Sequence, residues 1–231
     1  MNRLKTLAIG ATALLAGTMA FGAPSKDDIK RVNQATAVLG EMRNASDIPD
    51  RIWSNAQCVV VIPSMKKAAF IIGGEFGSGV MSCKRAGAWS APVFMQLTKG
   101  SAGFQIGAQS TDLVLMVMNR SGVEKLLGNK VTLGTDASVA AGPVGRAASA
   151  ATDAQMTAQM LSYSRAKGLF AGIDLAGGTL RPDGDANTRV YGSTVSARQI
   201  ALGTKVVPMM AEARAFTHAL GSDVRATSGK K

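Results

Sequence analysis

Glycine inside strand-like segments is the feature that most limits how this chain can fold. Nineteen of its 26 glycines lie between Gly73 and Gly192, and many of them interrupt runs that alternate apolar and polar residues. Glycine weakens a flat strand, so its frequent use there indicates bulges, sharp bends or close strand packing. Antiparallel sheets that curl toward a barrel need such positions. The middle of the chain is therefore predicted to form a strongly bent, glycine-rich, barrel-like antiparallel sheet.

Several segments of this region have the pattern of individual strands. The β-branched apolar run from Cys58 to Ile62 predicts a strand that is buried on both faces and ends at Pro63. Residues 89–98 have a period of two, which predicts one strand. Its two faces carry Trp89, Ala91, Val93, Met95 and Leu97 on one side and Ser90, Gln96 and Thr98 on the other. Residues 113–118 form another apolar run of the buried type.

Helices are predicted at both ends of the sheet region and between its strands. Ser25 and Asp28 form a capping box that opens an amphipathic helix over about residues 25–45. Ser121 and Ser196 begin similar boxes for short helices. Pro208 is predicted to open a C-terminal helix over about residues 207–221. The fold class is α+β, with a single domain over residues 23–231.

Residues 1–22 have the order of regions found in a secretory signal peptide. Two basic residues, Arg3 and Lys5, precede an uncharged apolar run over residues 7–19, and small residues follow from Ala20. The run is shorter than the roughly 20 residues that a permanent membrane-spanning helix needs. We expect export to the periplasm or the extracellular space, with an uncleaved N-terminal anchor as the alternative.

The sequence contains fragments of catalytic and ligand motifs but completes none of them. Ser64 and Lys67 have the Ser-x-x-Lys spacing of acyl enzymes, yet the chain lacks both Ser-Asp-Asn and Lys-Thr-Gly. The glycine cluster at residues 73–79 lacks the Gly-Lys-Ser/Thr of a phosphate loop. Asp183 and Asp185 fit a helix-capping turn, and His218 is the only histidine. We predict no enzyme, no metal and no cofactor.

The two cysteines, Cys58 and Cys83, leave two interpretations open. They do not form a Cys-x-x-Cys motif, so neither redox catalysis nor zinc binding is indicated. In an exported protein they can bridge neighbouring strands, whereas Cys58 also fits a buried apolar thiol.

Basic residues dominate the charge, with 26 Lys and Arg against 15 Asp and Glu. Outside the cytoplasm such a surface meets anionic lipid head groups more often than nucleic acid. The predicted partner is an anionic phospholipid membrane, and the first helix would insert its apolar stripe at the head-group boundary. The predicted lipid contacts are the basic residues of the first helix and of two presumed turns: Lys26, Lys30, Arg31, Arg43, Lys66, Lys67, Lys84 and Arg85.

Two other interpretations remain open beside lipid binding. The apolar stripe of the first helix can pack on the sheet instead of entering a membrane, and the charges can form an ordinary solvated face. The rival function is a structural or protein-binding module of the cell envelope whose basic face contacts an acidic protein.

An ordered series of motifs along the chain resembles the SYLF domain family. The matching segments are residues 48–56, 59–63, 73–80, 87–92, 103–107, 141–146, 163–164, 168–172, 187, 191–192 and 200–203. This resemblance implies a lipid-binding module of phosphoinositide-binding type, aided by an N-terminal amphipathic helix and without catalytic residues. It also implies actin binding, which some eukaryotic members show, and an exported member of bacterial type.

Overall fold

A computed structural model describes residues 22–45, 48–69, 72–102, 109–144, 157–166 and 169–221. Residues 1–21, which carry nearly all of the predicted signal peptide, lie outside the described residues, as does the motif at residues 103–107.

Six helices and ten strands are assigned within these ranges. The helices are α1 (Lys26–Asn44), α2 (Asp50–Asn55), α3 (Arg120–Leu126), α4 (Gly184–Tyr191), α5 (Ala197–Leu202) and α6 (Ala211–Gly221). The strands are β1 (Cys58–Ala69), β2 (Ile72–Arg85), β3 (Ala88–Trp89), β4 (Val93–Ala102), β5 (Gln109–Val117), β6 (Val131–Thr132), β7 (Val139–Ala141), β8 (Met160–Ala166), β9 (Leu169–Gly172) and β10 (Thr179–Pro182).

The strands form one strongly curled sheet in the order β6-β10-β4-β2-β1-β5-β8-β7, so the predicted α+β class is confirmed. β3 pairs with β2, and β9 pairs with β8. The strands at the two ends of this order, β6 and β7, are separated in sequence only by residues 133–138. Six residues span at most about 20 Å when fully extended, so this segment keeps the two edge strands of the curled sheet within that distance of each other.

Close approach of β1 to β2 explains two of the glycines. A Cβ atom on Gly79 would lie 1.9 Å from the Val61 carbonyl oxygen, and one on Gly77 would lie 2.3 Å from an Ile62 side-chain carbon. At this point the pairing of β1 with β2 shifts register between Val61 and Lys66. The bend required by the sheet is therefore built from a bulge on one strand and glycines on the other.

The predicted end of the first strand at Pro63 is wrong. β1 continues to Ala69 because the bulge absorbs the proline, which lacks a ladder donor. The next residue, Ser64, has a φ of 51° and donates its backbone N–H to the Asp112 carboxylate at 2.9 Å. A side chain on the neighbouring strand thus stabilises a backbone conformation that a local pattern does not show.

Three further boundaries differ from the sequence prediction. The segment at 89–98 is interrupted at residues 90–92 and splits into β3 and β4. Phe94 is buried although its place in the alternation is that of Gln96 and Thr98. Asn119, not Ser121, caps α3 by accepting the Gly122 N–H at 2.9 Å. The C-terminal helix begins at Ala211, three residues after Pro208. The capping boxes at Ser25 and Ser196 are confirmed.

Helix α1 lies on the sheet and on α6 through its apolar face. Val32, Leu39 and Met42 are fully or almost fully buried there. The alternative in which the stripe packs on the sheet is thus the one found, and insertion of that stripe into a membrane is inconsistent with the fold. The burial of these side chains removes them from any exposed surface.

Two ion pairs of opposite sense attach the first half of α1 to α4. Arg189 of α4 donates to both carboxylate oxygens of the fully buried Asp28 at 2.8 Å. Arg31 donates to Asp183, the N-cap of α4, at 2.8 Å. Burial alone raises the pKa of Asp28, but hydrogen bonds from Arg189 and Ser25 outweigh it and lower the pKa to about 2.

The glycine at the closest strand contact gives a first prediction. Gly79→Ala places a methyl group against the β1 backbone, which cannot rotate away, so we expect a loss of unfolding free energy of about 3 kcal/mol or more. Gly100→Ala in β4 is the matched control, because its Cβ would meet nothing within 4 Å. Urea denaturation of both variants measures the difference. Equal stabilities would show that the close approach is wrong.

The buried carboxylate gives a second prediction. Because the folded-state pKa of Asp28 is about 2 and its ordinary value is 3.8, its ionised form stabilises the fold above about pH 4. We expect Asp28→Asn to cost about 2 kcal/mol at neutral pH, with the difference from the parent protein vanishing as the pH falls from 4 to 2. Denaturation at a series of pH values measures this. Asp27 is the exposed neighbour of Asp28. For Asp27→Asn, the difference in unfolding free energy from the parent protein should not show this dependence on pH.

Candidate functional site

The structure separates the eight predicted lipid-contact residues into three places. Lys26, Lys30 and Arg31 lie in the first half of α1, and Lys66 and Lys67 lie within β1. Arg43, Lys84 and Arg85 come together near the opposite end of α1, about 20 Å from Lys30 by the rise of the helix.

Within the first group, only the two lysines present their charges to solvent. Lys26 and Lys30 are exposed. Arg31 instead pairs with Asp183 and lies over the Phe94 ring, 5.4 Å from its centroid. Burial raises the pKa of Asp183, but hydrogen bonds from Arg31 and the Ala186 N–H hold it below its ordinary value. Arg31 therefore secures α1 to the domain.

The second group does not occupy a turn, contrary to the prediction. Lys66 and Lys67 are internal residues of β1 and pair with Phe76 and Glu75 of β2. Lys84 lies eight positions after Phe76 on β2, a distance of about 26 Å along an extended strand. The basic pairs Lys66-Lys67 and Lys84-Arg85 therefore lie toward opposite ends of the same hairpin and cannot form one compact site.

The third group lies where β2 ends. Lys84 and Arg85 are the last two residues of β2, not turn residues as predicted, and the turn follows at Ala86-Gly87. One residue before Lys84, Cys83 is joined to Cys58 by a disulfide across the β1–β2 pair, which is the first of the two alternatives that the sequence left open. The Lys84 N–H also donates to the Gln57 carbonyl at 2.7 Å. This end of β2 is therefore fixed by that hydrogen bond on one side of the disulfide and by the β1–β2 pairing on the other.

A first cleft of about 640 Å3 lies beside Lys84 and contains both tryptophans of the chain. The Arg43 guanidinium lies over the Trp53 ring at 4.3 Å and donates to the Leu220 carbonyl at 2.6 Å. The Lys84 ammonium lies 5.8 Å from the centre of the Trp89 ring. The remaining charged lining residues are Arg51 and Asp50.

A second cleft of about 550 Å3 adjoins the first through Lys84, which lines both. Its other basic residues are Arg85, Arg120 and Arg198. Glu124 is the acidic residue of this lining and is bound by Arg198 at 2.5 Å. Since one carboxylate serves two neighbouring arginines, the second cleft keeps a net positive charge.

We call the residues around these two clefts the basic end. It comprises Arg43, Arg51, Lys84, Arg85, Arg120 and Arg198, with Asp50 and Glu124 as the acidic side chains among the lining residues. Cationic groups beside aromatic rings, in open clefts, are suited to hold anionic groups such as phosphate or carboxylate.

Sequence reasoning missed half of the basic end. Arg51, Arg120 and Arg198 come from three separate helices, and no pattern in the sequence brings them together. One signal was available, since Trp53 and Trp89 are the only tryptophans and both fall within motifs of the family resemblance.

The fragments of catalytic motifs do not assemble in the structure. Ser64 and Lys67 lie on an extended strand, so the Ser-x-x-Lys spacing no longer places the lysine one helical turn from the serine. Asp183 caps α4 and pairs with Arg31, and His218 is exposed on α6. Within the described ranges no group of three or more His, Cys, Asp or Glu could hold a metal ion.

None of the described helices combines the length and the apolar character needed to cross a membrane.

Comparison with known proteins identifies relatives over most of the chain. The family described as Ysc84, Las17-binding protein actin regulator, matches residues 98–223. An SH3 domain-containing protein of Schizosaccharomyces pombe, PJ696.02, is 36% identical over 170 residues, which are 71% of this chain and 39% of that protein. Protein YSC84 of Saccharomyces cerevisiae is 33% identical over 169 residues, 71% of this chain and 36% of that protein.

A human relative, SH3 domain-containing YSC84-like protein 1, is 32% identical over 174 residues, which are 74% of this chain and 51% of that protein. The chain thus spans about half or less of the length of these curated relatives. The name of the family, and that of a further relative, LAS seventeen-binding protein 3 of Saccharomyces cerevisiae, describe binding or regulatory proteins.

Fold and site together define a module of the α+β class with a basic, aromatic-lined end. The chain belongs to the Ysc84 family, which confirms the resemblance to the SYLF domain.

The disulfide gives a third prediction. It closes a loop between residues 25 positions apart, and constraining the unfolded chain in this way contributes about 3 kcal/mol. Replacing both Cys58 and Cys83 by Ala should lower the unfolding free energy by that amount, and a reducing agent should do the same to the parent protein. Guanidinium denaturation with and without reductant measures it. An unchanged midpoint in both cases would contradict the bridge.

Proposed function

We propose that this protein is a non-catalytic module that attaches to anionic membrane surfaces through its basic end. The observation that carries the proposal is the convergence of six basic side chains from five elements around two adjoining clefts. Each basic residue close to an anionic bilayer contributes about 1 kcal/mol of attraction at low screening. Several acting together are enough for reversible attachment.

The location of the charges supports attachment through one end of the molecule. Lys26 and Lys30 lie at the far end of α1 and Lys66 lies far along β1, so a planar surface that contacts Arg85 and Arg120 does not reach them at the same time. Helix α1 contributes Arg43 to the basic end, while its apolar stripe remains in the core.

We further propose that the protein works outside the cytoplasm. The support is the signal-peptide pattern of residues 1–22. A disulfide between Cys58 and Cys83 is in keeping with an oxidising compartment.

Charge reversal gives the test, which is a fourth prediction. Arg85→Glu with Arg120→Glu should weaken binding to vesicles of phosphatidylcholine and phosphatidylglycerol by about 30-fold or more, because two attractive charges worth about 2 kcal/mol are removed. Both side chains are exposed, so the melting temperature should not change. Vesicle flotation at low salt and at about 1 M salt, where the Debye length is about 3 Å, measures the binding.

Two matched controls use the other predicted residues. Lys26→Glu with Lys30→Glu, and Lys66→Glu with Lys67→Glu, change the net charge equally but lie away from the basic end. If all three double variants lose affinity equally, attraction depends only on net charge and the proposed surface is wrong. If the parent protein does not float with anionic vesicles at all, membrane attachment is wrong.

A second candidate function is binding of an acidic protein. It is favoured by the family description, which names a Las17-binding protein and actin regulator. The same basic end would then contact acidic side chains, as in an envelope module that binds a protein partner. Capture of a protein partner by the immobilised protein measures this. If detergent leaves the captured partner in place but Arg85→Glu abolishes its capture, protein binding is supported over membrane attachment.

A further inference from the structure

The connection between α5 and α6, residues 203–210, carries most of the exposed large apolar side chains in the described part of the chain. Val206 is 95% exposed and Met209 is 36% exposed, and Phe76 on β2 is the third such residue. Pro208, between them, is also exposed. A single exposed apolar side chain is ordinary, but Val206, Pro208 and Met209 are three within four consecutive residues and form a local concentration.

The connection is anchored, so it does not present these side chains by chance. Val207 and Met210 pack against the hydrophobic core, on the other side of the backbone from Val206. Gly203 ends α5 in the left-handed conformation with a φ of 60°, and Lys205 donates to the Thr194 carbonyl at 3.0 Å. These contacts fix which side chains point inward and which point to solvent.

The connection starts at the basic end. Helix α5, which immediately precedes it, contributes Arg198 and Leu202 to the second cleft. From Ala186 to Ala211 the chain contains no acidic residue, whereas Arg189, Arg198 and Lys205 are basic. The connection itself thus combines exposed apolar side chains with Lys205 and has no acidic residue, a composition that complements a bilayer, in which anionic head groups surround an apolar interior.

We infer that the α5–α6 connection enters the head-group boundary of an anionic bilayer, with Val206 and Met209 as the inserting side chains. This inference rests on the proposed membrane attachment and assigns insertion to a different element from the first helix. The stripe of α1 is buried, whereas Val206 loses contact with water only when a second phase covers it. The basic end then attracts the anionic head groups, and the α5–α6 connection inserts its apolar side chains below them.

A fluorescent label tests insertion directly. Val206→Cys, labelled with an environment-sensitive dye while the native disulfide stays closed, should show a blue shift with anionic vesicles. It should also be quenched by lipids that carry a shallow nitroxide group. Ser110→Cys is the matched control, because Ser110 is exposed and pairs with Lys66 on the distant part of β1. The control label should not respond.

Polar substitutions test the energetic contribution. Val206→Thr with Met209→Gln should reduce affinity for anionic vesicles about tenfold, since part of the burial of two apolar side chains is lost. Phe76→Ser removes an equally apolar exposed side chain away from the basic end and should leave the affinity unchanged. Because these side chains are exposed, both variants should keep the parent melting temperature.

The outcomes separate this inference from the proposed function. Vesicle binding that depends on Arg85 and Arg120, with a silent label at 206 and full affinity of the Val206→Thr, Met209→Gln variant, would overturn the insertion alone. Protection of the label without vesicles, accompanied by a dimer in sedimentation, would place a second copy of the chain on the connection and also overturn it. A blue shift of the label at position 206, together with tenfold weaker vesicle binding of the Val206→Thr, Met209→Gln variant, supports the insertion.

Discussion

The placement of α1 depends on two ion pairs between α1 and α4. Each helix region supplies one acid and one base: Asp28 and Arg31 from α1, Asp183 and Arg189 from α4. Asp28 is fully buried, and a buried carboxylate is tolerated only when it is paired and hydrogen-bonded. These pairs attach the first half of α1 to the domain, and the apolar face of the helix is buried. The other end of α1 carries Arg43, whose guanidinium lies over the Trp53 ring.

Local chemistry was predictable from the sequence, and long-range chemistry was not. The capping boxes at Ser25 and Ser196 depend on residues three apart, so their patterns predicted the helix starts correctly. The strong curl of the sheet was also predictable, because glycines within strand patterns have few other uses. The end of β1 was predicted wrongly, since the Asp112 carboxylate that supports the bulge at Ser64 is 48 residues away.

The basic end shows the same limit. Lys84 and Arg85 were identified because they are adjacent in sequence, although they were assigned to a turn. Arg51, Arg120 and Arg198 meet them only because α2, α3 and α5 converge near the bridged ends of β1 and β2. A charge on a helix carries no local sign of its distant neighbours. Hence a count of basic residues predicts an anionic partner, but only the fold shows which of them can act together.

The segment from Val131 to Ala141 has a consequence for assembly with other chains. It supplies β6 to one end of the sheet and β7 to the other, and each of these terminal strands is no longer than three residues. The outer side of β8 is divided between β7, which covers Met160–Ser162, and β9, which covers Tyr163–Ala166. Open hydrogen-bonding edges invite strand-by-strand aggregation, and very short terminal strands are a known protection against it. A glycine-rich sheet that must stay curled is in this way also kept from growing into a fibre.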